Sequence, residues 1–293
     1  MTRLRLPGHS VAVEWLAEHL GRPGLVVLDG SWYLPTSGRD PSDEFLEGHI
    51  PGARFFDVDD CSDPDSTLPH TLPSPERFSA CAEGVAVTND SAVVVYDASD
   101  VNLSAPRVWW TFRYFGHDNV AVLDGGLAAW KRAGHPLETG ASFLTLEVPE
   151  PFRARPRPEL LYTSAQVLDA SRRGTAQIVD MRPEGRFEGT APEPRPGLRG
   201  GHVPGSRNLP YADLVDEDGL AITESELDRR LQEAGIRRDQ PLVGTCGSGT
   251  SACAFAWIMA REGREDVAIY DGSWSEWGAR DDLPVDVGPP GQS

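Results

Sequence analysis

The chain predicts an α/β fold built as two tandem copies, each a mainly parallel sheet flanked by helices. Three observations carry this reading. Short apolar runs alternate with helical periodicity along most of the 293 residues. The runs are apolar without alternation, as strands covered on both faces must be. A set of local motifs also recurs in order at a spacing of about 150 residues, far longer than a solenoid repeat.

In the first copy the strands are Leu25–Leu28, Ala92–Tyr96 and Val120–Leu123, and the helices Val13–Leu20, Pro75–Glu83, Ala105–Phe115 and Gly126–Ala133. The second copy has strands Ile178–Val179, Leu242–Thr245 and Val267–Ile269, with helices Ser164–Arg173, Ser225–Ala234 and Gly249–Glu262. Ser164 and Thr223 are the expected amino-terminal caps, because a hydroxyl there can accept an orphan helix N–H. The recurring motifs are Leu25-Val-Val-Leu-Asp29 with Gln177-Ile-Val-Asp180, Gly48-His-Ile-Pro-Gly52 with Gly201-His-Val-Pro-Gly205, and Leu123-Asp-Gly-Gly-Leu-Ala-Ala-Trp130 with Tyr270-Asp-Gly-Ser-Trp-Ser-Glu-Trp277. The expected divisions are a first domain at 1–140, a proline-bearing linker at 141–158 and a second domain at 159–293. Pro284 to Ser293, rich in proline and glycine, is expected to fray.

Chemistry points to one place, Pro241-Leu-Val-Gly-Thr-Cys246-Gly-Ser-Gly-Thr-Ser-Ala-Cys253. A thiol at the carboxyl end of a buried strand, followed by small residues and a helix, can be ringed by the N–H groups of Gly247 to Ser251. Such a nest and helix dipole stabilise an anion and favour thiolate. A half-buried, inert cysteine is the plainer reading, and on cysteine statistics alone the commoner one. The two glycines beside the thiol, and the lack of any bulky side chain through Ala252, favour a nucleophile. Other glycine-loop readings fit less well. Gly244 and Gly249 have phosphate-loop spacing, but Thr250 replaces the lysine. Ala252 stands where a cysteine phosphatase would need an arginine. Gly247 to Ala252 does match a dinucleotide fingerprint, yet too little chain follows to build that domain. Aligning the copies puts Val93-Val-Val-Tyr-Asp97-Ala-Ser99 on Leu242-Val-Gly-Thr-Cys246-Gly-Ser248, so only the second copy holds the thiol.

Composition narrows the partners. A formal net charge of -18 argues against nucleic-acid binding. No stretch reaches the roughly 18 apolar residues of a membrane span, and Met1 to Ser10 lacks a secretory pattern. The four cysteines, Cys61, Cys81, Cys246 and Cys253, are scattered without metal spacing. That pattern suggests a reducing cytoplasm, no disulfide framework and no structural zinc. His49 and His202 recur in turns, which suggests a role in the fold such as bonding nearby carbonyls. Asp124 and Asp271 look like strand-to-helix caps, and Trp109, Trp110, Trp130, Trp274 and Trp277 like packing residues.

Taken together, the paired Gly-His-Ile/Val-Pro-Gly, the Cys-Gly-Ser-Gly-x-x-Ala loop, Ala98-Ser-Asp100, Ser104-Ala-Pro-Arg-Val-Trp-Trp110, Glu193-Pro-Arg195 and the closing Tyr-Asp-Gly-Ser-Trp-x-Glu-Trp resemble the tandem-domain rhodanese family. Within it, the chain most resembles the 3-mercaptopyruvate sulfurtransferases, over nearly its whole length. Thiosulfate-preferring members carry cationic side chains after the cysteine, where this chain has Gly247 and Ser248. Thr250-Ser251 departs from the commoner Val-Thr and bears on substrate preference. The resemblance implies a first copy that is catalytically silent, and ping-pong transfer in which Cys246 takes sulfur as a persulfide, releases pyruvate and passes sulfur to a thiol or cyanide. The alternatives are a thiosulfate sulfurtransferase and a persulfide carrier without turnover.

By the same resemblance Arg186 and Arg195 bind the substrate carboxylate, while Gly247, Gly249, Thr250 and Ser251 form the loop around it. Arg182, nearer the strand end, reads as structural. Ser248, His70 and Asp59 would handle protons. No metal or organic cofactor is called for. The partners are a small-molecule sulfur donor and a thiol acceptor such as a thioredoxin-like protein, with no nucleic acid or membrane, and the protein is expected to be a cytoplasmic monomer.

Overall fold

The computed structural model describes residues 3–99, 101–142 and 150–291. Asp100 and residues 143–149 of the expected linker lie outside the described residues, as do the last two residues of the expected fraying end. The chain forms two compact units. The first holds residues up to Pro64, Pro73–Arg157 and Glu217–Leu220; the second holds Asp65–Leu72, Pro158–Asp216 and Ala221 onward. Two short segments are thus assigned against their order in the sequence. The end of the expected linker packs on the first unit. Arg155 and Arg157 donate their amides to the carbonyls of Phe115 and Tyr114, and Phe152 meets Phe78 edge-on.

The first unit contains strands β1 (Ser10–Val11), β2 (Leu25–Asp29), β3 (Arg54–Phe55), β4 (Ala92–Tyr96) and β5 (Val120–Leu123). They form one sheet in the order β1-β5-β4-β2-β3, parallel at every pairing. Its helices are α1 (Val13–His19), α2 (Pro41–Glu47), α3 (Pro75–Gly84), α4 (Ala105–Tyr114) and α5 (Gly126–Arg132). The second unit repeats the plan with β6 (Leu161–Tyr162), β7 (Gln177–Asp180), β8 (Arg207–Asn208), β9 (Leu242–Thr245) and β10 (Ala268–Tyr270), in the order β6-β10-β9-β7-β8. Around that sheet lie α6 (Ser164–Arg173), α7 (Glu184–Phe187), α8 (Glu224–Glu233), α9 (Thr250–Arg261) and α10 (Ser273–Trp277).

Parallel strands demand helical cover on both faces, and the central strands are accordingly dry: every residue of β4 and β9 is buried. The helices that follow them, α4 and α9, are buried almost all round, the pattern of a helix with protein on several sides. The five tryptophans read as packing residues are at most 1% exposed. Duplication extends to side-chain detail. His49 stacks on Phe45 and its Nδ1 lies 2.8 Å from the Phe45 carbonyl; His202 stacks on Phe187 with its Nδ1 at 2.9 Å from that carbonyl.

Three expectations need correction. Cys61 and Cys81 form a disulfide, their Cα atoms 5.9 Å apart, within ordinary bridging range. A pairing made across the fold is invisible in spacing, and the inference from cysteine scatter to a reducing compartment loses its premise. The cap of α6 is Thr163 rather than Ser164: its hydroxyl accepts the Gln166 N–H, and Gln166 answers by accepting the Thr163 N–H. The positions before α5 and α10 are Gly125 and Gly272, not aspartates. The Asp271 carboxylate instead accepts the Leu72 N–H at 2.8 Å.

Candidate active site

Cys246 follows the last residue of β9, one of the inner strands, at the sheet's carboxyl edge, where sites of open parallel sheets lie. The chain then turns through Gly247 and Ser248 to Gly249, whose φ of 87° is a left-handed conformation that favours glycine. This turn carries the Gly249 N–H to 3.1 Å from the Cys246 sulfur. Helix α9 starts at the next residue, directing its amino terminus at the same loop. Cys246 is only 2% exposed, so a donor must insert its sulfur into the loop rather than meet it on an open face. Gly247 is half-buried, Ser248 is 8% exposed, Thr250 is buried and Ser251 half-buried.

A second layer holds the loop in place. Ser273, itself at φ 47°, accepts the Cys246 N–H at 3.2 Å and donates its hydroxyl to the Tyr270 carbonyl at 2.8 Å. The Trp274 N–H binds the Cys246 carbonyl at 2.9 Å, and Ser275 binds the Gly247 carbonyl through both its N–H (2.9 Å) and its hydroxyl (2.7 Å). With the Cys246 and Gly247 carbonyls engaged by α10, the loop is held so that the Gly249 N–H faces the sulfur. The sequence showed this Asp-Gly-Ser-Trp-Ser motif as a repeat but did not reveal the clamp, because the partner lies more than twenty residues upstream. Cys253, on α9, is fully buried.

Beside the loop runs a chain of buried charge. Arg182 binds Asp180 with its Nη2 at 2.7 Å, Glu193 with its Nη1 at 2.7 Å and the Gly201 carbonyl at 2.8 Å, and its guanidinium lies over the Trp274 ring. The other oxygen of Glu193 accepts Arg186 at Nη2 (2.5 Å) and Nε (3.1 Å). Arg182 is therefore framework, as expected. Arg186, with its side chain 21% exposed, reaches the thiol loop: a Cβ on Gly247 would stand 3.0 Å from its Nη2. Any side chain at Gly247 would displace this guanidinium. Glu193, seen in sequence only as part of a motif, is the residue that aims Arg186. Arg195 is half-buried two positions further along the same loop.

The remaining expected residues fall in different units. His70, 5% exposed and at φ 56°, lies on Asp65–Leu72 and so belongs to the unit of Cys246. Asp59 belongs to the first unit, where its Oδ2 accepts the Trp32 indole N–H at 2.9 Å. Among the described residues no helix is long and apolar enough to cross a membrane.

Two parallel sheets of identical strand order, one ending its inner strand β9 in a thiol set in a loop of amides, define a duplicated α/β protein with a single cysteine centre. The chain belongs to the rhodanese-like domain family, which matches it twice, at residues 12–133 and 163–280. It is 46% identical over 272 residues to human 3-mercaptopyruvate sulfurtransferase, covering 91% of each chain. It is 41% identical over 294 residues to the mitochondrial thiosulfate/3-mercaptopyruvate sulfurtransferase 1 of Arabidopsis thaliana, covering 94% of this chain and 77% of the relative. A solved Escherichia coli structure, described as having the rhodanese fold and the mechanism of 3-mercaptopyruvate sulfotransferases, superposes with a TM-score of 0.82 at 40% identity, over 91% of this chain and 99% of that one.

Proposed function

We propose that this chain is a sulfurtransferase that takes sulfur from 3-mercaptopyruvate. The Cys246 thiolate attacks the donor's sulfur, the carbon–sulfur bond breaks, and pyruvate leaves as its enolate and takes up a proton. The product on the protein is a Cys246 persulfide. An acceptor thiolate, such as that of a thioredoxin-like protein, then attacks the outer sulfur and restores Cys246. Sulfur is anionic before and after the first step, so the Gly249 N–H and the amino terminus of α9 serve both halves of the cycle.

The observation that carries the donor assignment is the guanidinium of Arg186 held against Gly247 by Glu193. It supplies a fixed cation for a carboxylate while the small side chains of Gly247 and Ser248 leave room for a carbon skeleton. A charge-assisted hydrogen bond of this kind contributes about 1.5–3 kcal/mol. Arg195 is assigned to the same carboxylate, and Thr250 and Ser251 to the rim. Proton transfer falls to Ser248 and to His70, both buried in the same unit. By the resemblance stated above, Asp59 is proposed to complete this relay.

Steady-state turnover of 3-mercaptopyruvate and of thiosulfate by the same preparation decides the donor. Pyruvate release with at least about tenfold higher kcat/KM for the keto acid is expected. A preference for thiosulfate would overturn the donor assignment. Loading of Cys246 only by another persulfidated protein, without pyruvate release, would make the chain a carrier.

A further inference from the structure

The Cys61–Cys81 bridge lies outside the machinery above, and its place in the chain gives it leverage on that machinery. It closes a 20-residue stretch that leaves the first unit after Pro64, lends Asp65–Leu72 to the second and returns at Pro73. His70 sits on the lent segment. The segment is fastened in the second unit by the Leu72 N–H on the Asp271 carboxylate. Two residues beyond Asp271, the Ser273 hydroxyl accepts the Cys246 N–H.

The bridge is open to attack and built to re-form. Both cysteines are half-buried and line a cavity of about 350 Å3 together with Phe56, Asp57, Asp60 and Arg77. Arg77, on α3 one turn before Cys81, donates its guanidinium to the carbonyls of Asp60 and Ser62, the two residues that flank Cys61. It also pairs with the Asp60 carboxylate at 3.6 Å. These contacts do not involve sulfur, so they persist on reduction and keep Cys61 beside Cys81. A cation near the sulfurs also favours an incoming or departing thiolate.

We propose that Cys61–Cys81 is a reversible thiol switch, reduced by a dithiol, that holds the His70 segment in its working position when closed. A reductant thiolate attacks one sulfur and forms a mixed disulfide, and the other cysteine leaves as a thiolate and is protonated. The second thiol of the reductant then releases the first cysteine and becomes its own cyclic disulfide, so two electrons pass to the protein. Opening the bridge removes the covalent closure of the stretch and leaves its ends held only by the weaker Arg77 contacts, so the segment moves more and sulfur transfer falls. The effect on turnover rests on the assignment of His70 to proton transfer; the reducibility of the bridge does not.

The test is to equilibrate the full chain in dithiothreitol buffers of graded redox ratio, remove the reductant and measure turnover with cyanide as acceptor. Alkylation mass mapping reads Cys61 and Cys81, and hydrogen exchange reads the Leu72 amide. Expected are two new alkylated sites in a folded protein, about tenfold faster Leu72 exchange, a severalfold fall in kcat, and recovery on reoxidation. Cys61→Ser combined with Cys81→Ser should sit at the reduced level and ignore the buffer; if that variant misfolds, the wild-type cycle alone decides. A bridge that resists reduction until the protein unfolds would overturn the proposal, as would reduction that leaves both turnover and Leu72 exchange unchanged. Full turnover in His70→Ala would identify the His70 assignment as the failed element instead.

Discussion

At the end of β4 the loop closes on the carboxylate of Asp97, and at the end of β9 it closes on the thiol of Cys246. In the first copy Asp97 Oδ1 accepts the Ser99 N–H at 2.9 Å and its hydroxyl at 2.5 Å, while Oδ2 accepts the N–H groups of Ser104 (2.7 Å) and Ala105 (2.8 Å), at the start of α4. The nest is already filled, by the protein's own carboxyl oxygens. In the second copy the sulfur takes the Gly249 N–H at 3.1 Å. A persulfide can grow on the second arrangement, whereas a carboxylate has no sulfur to extend and holds its donors permanently. The copies also differ beside the loop. Asp180 is met by the guanidinium of Arg182, whereas among the described residues Asp29 in the matching place is hydrogen-bonded by Ser31 and Tyr96. Burial without a cation pushes Asp29 up to about 6, against the lowering effect of those hydrogen bonds. Duplication preserved the scaffold, and a handful of side chains set the two loops apart.

The strongest way to break this comparison is to exchange the two key residues. Cys246→Ser should abolish transfer, a loss of at least about 10³-fold, and Cys253→Ser should not. Asp97→Cys should gain no sulfur atom by intact mass after 3-mercaptopyruvate and should lower stability by about 1–3 kcal/mol, because its ring of buried donors loses both acceptor oxygens. A second persulfide at position 97 would show that the loops are interchangeable after all.

The Asp29 contrast is tested through stability and pH. Its folded value lies above its unfolded one of 3.8, so its favourable contribution is complete below about pH 4 and is lost as pH rises to about 6. The loss amounts to about 2–3 kcal/mol. The difference in urea midpoint between wild type and Asp29→Asn should therefore change across pH 4–6 and be level above it. A flat difference over that range would mean that Ser31 and Tyr96 satisfy Asp29 as fully as a cation would.

The smallest expected effect sharpens the second copy. Glu193→Gln keeps the shape but removes the charge that aims Arg186, and should lower kcat/KM for 3-mercaptopyruvate about tenfold, mostly through KM. Unchanged kinetics would leave Arg186 self-sufficient and Glu193 a framework residue only.

Much of this was legible in the chain. Central strands such as Ala92–Tyr96 announce themselves because a dry parallel strand is apolar at every position. The edge strands Ser10–Val11, Arg54–Phe55, Leu161–Tyr162 and Arg207–Asn208 are two residues long, too short for any period to register. Cys246 was readable because a reactive thiol needs small neighbours in sequence. Ser273 and Ser275 were not, because their work is done on residues more than twenty positions away, and Glu193 was not, because no local period marks a loop carboxylate that meets two arginines.

The order of residues alone settled the duplication, the parallel α/β plan and the copy that keeps a thiol, since each follows from local pattern and residue type. Folding decided the rest: that α10 grips the cysteine loop, that Asp65–Leu72 joins the second unit and that Cys61 finds Cys81. Those are meetings of groups distant in sequence, and only the packed chain brings such groups within bonding distance.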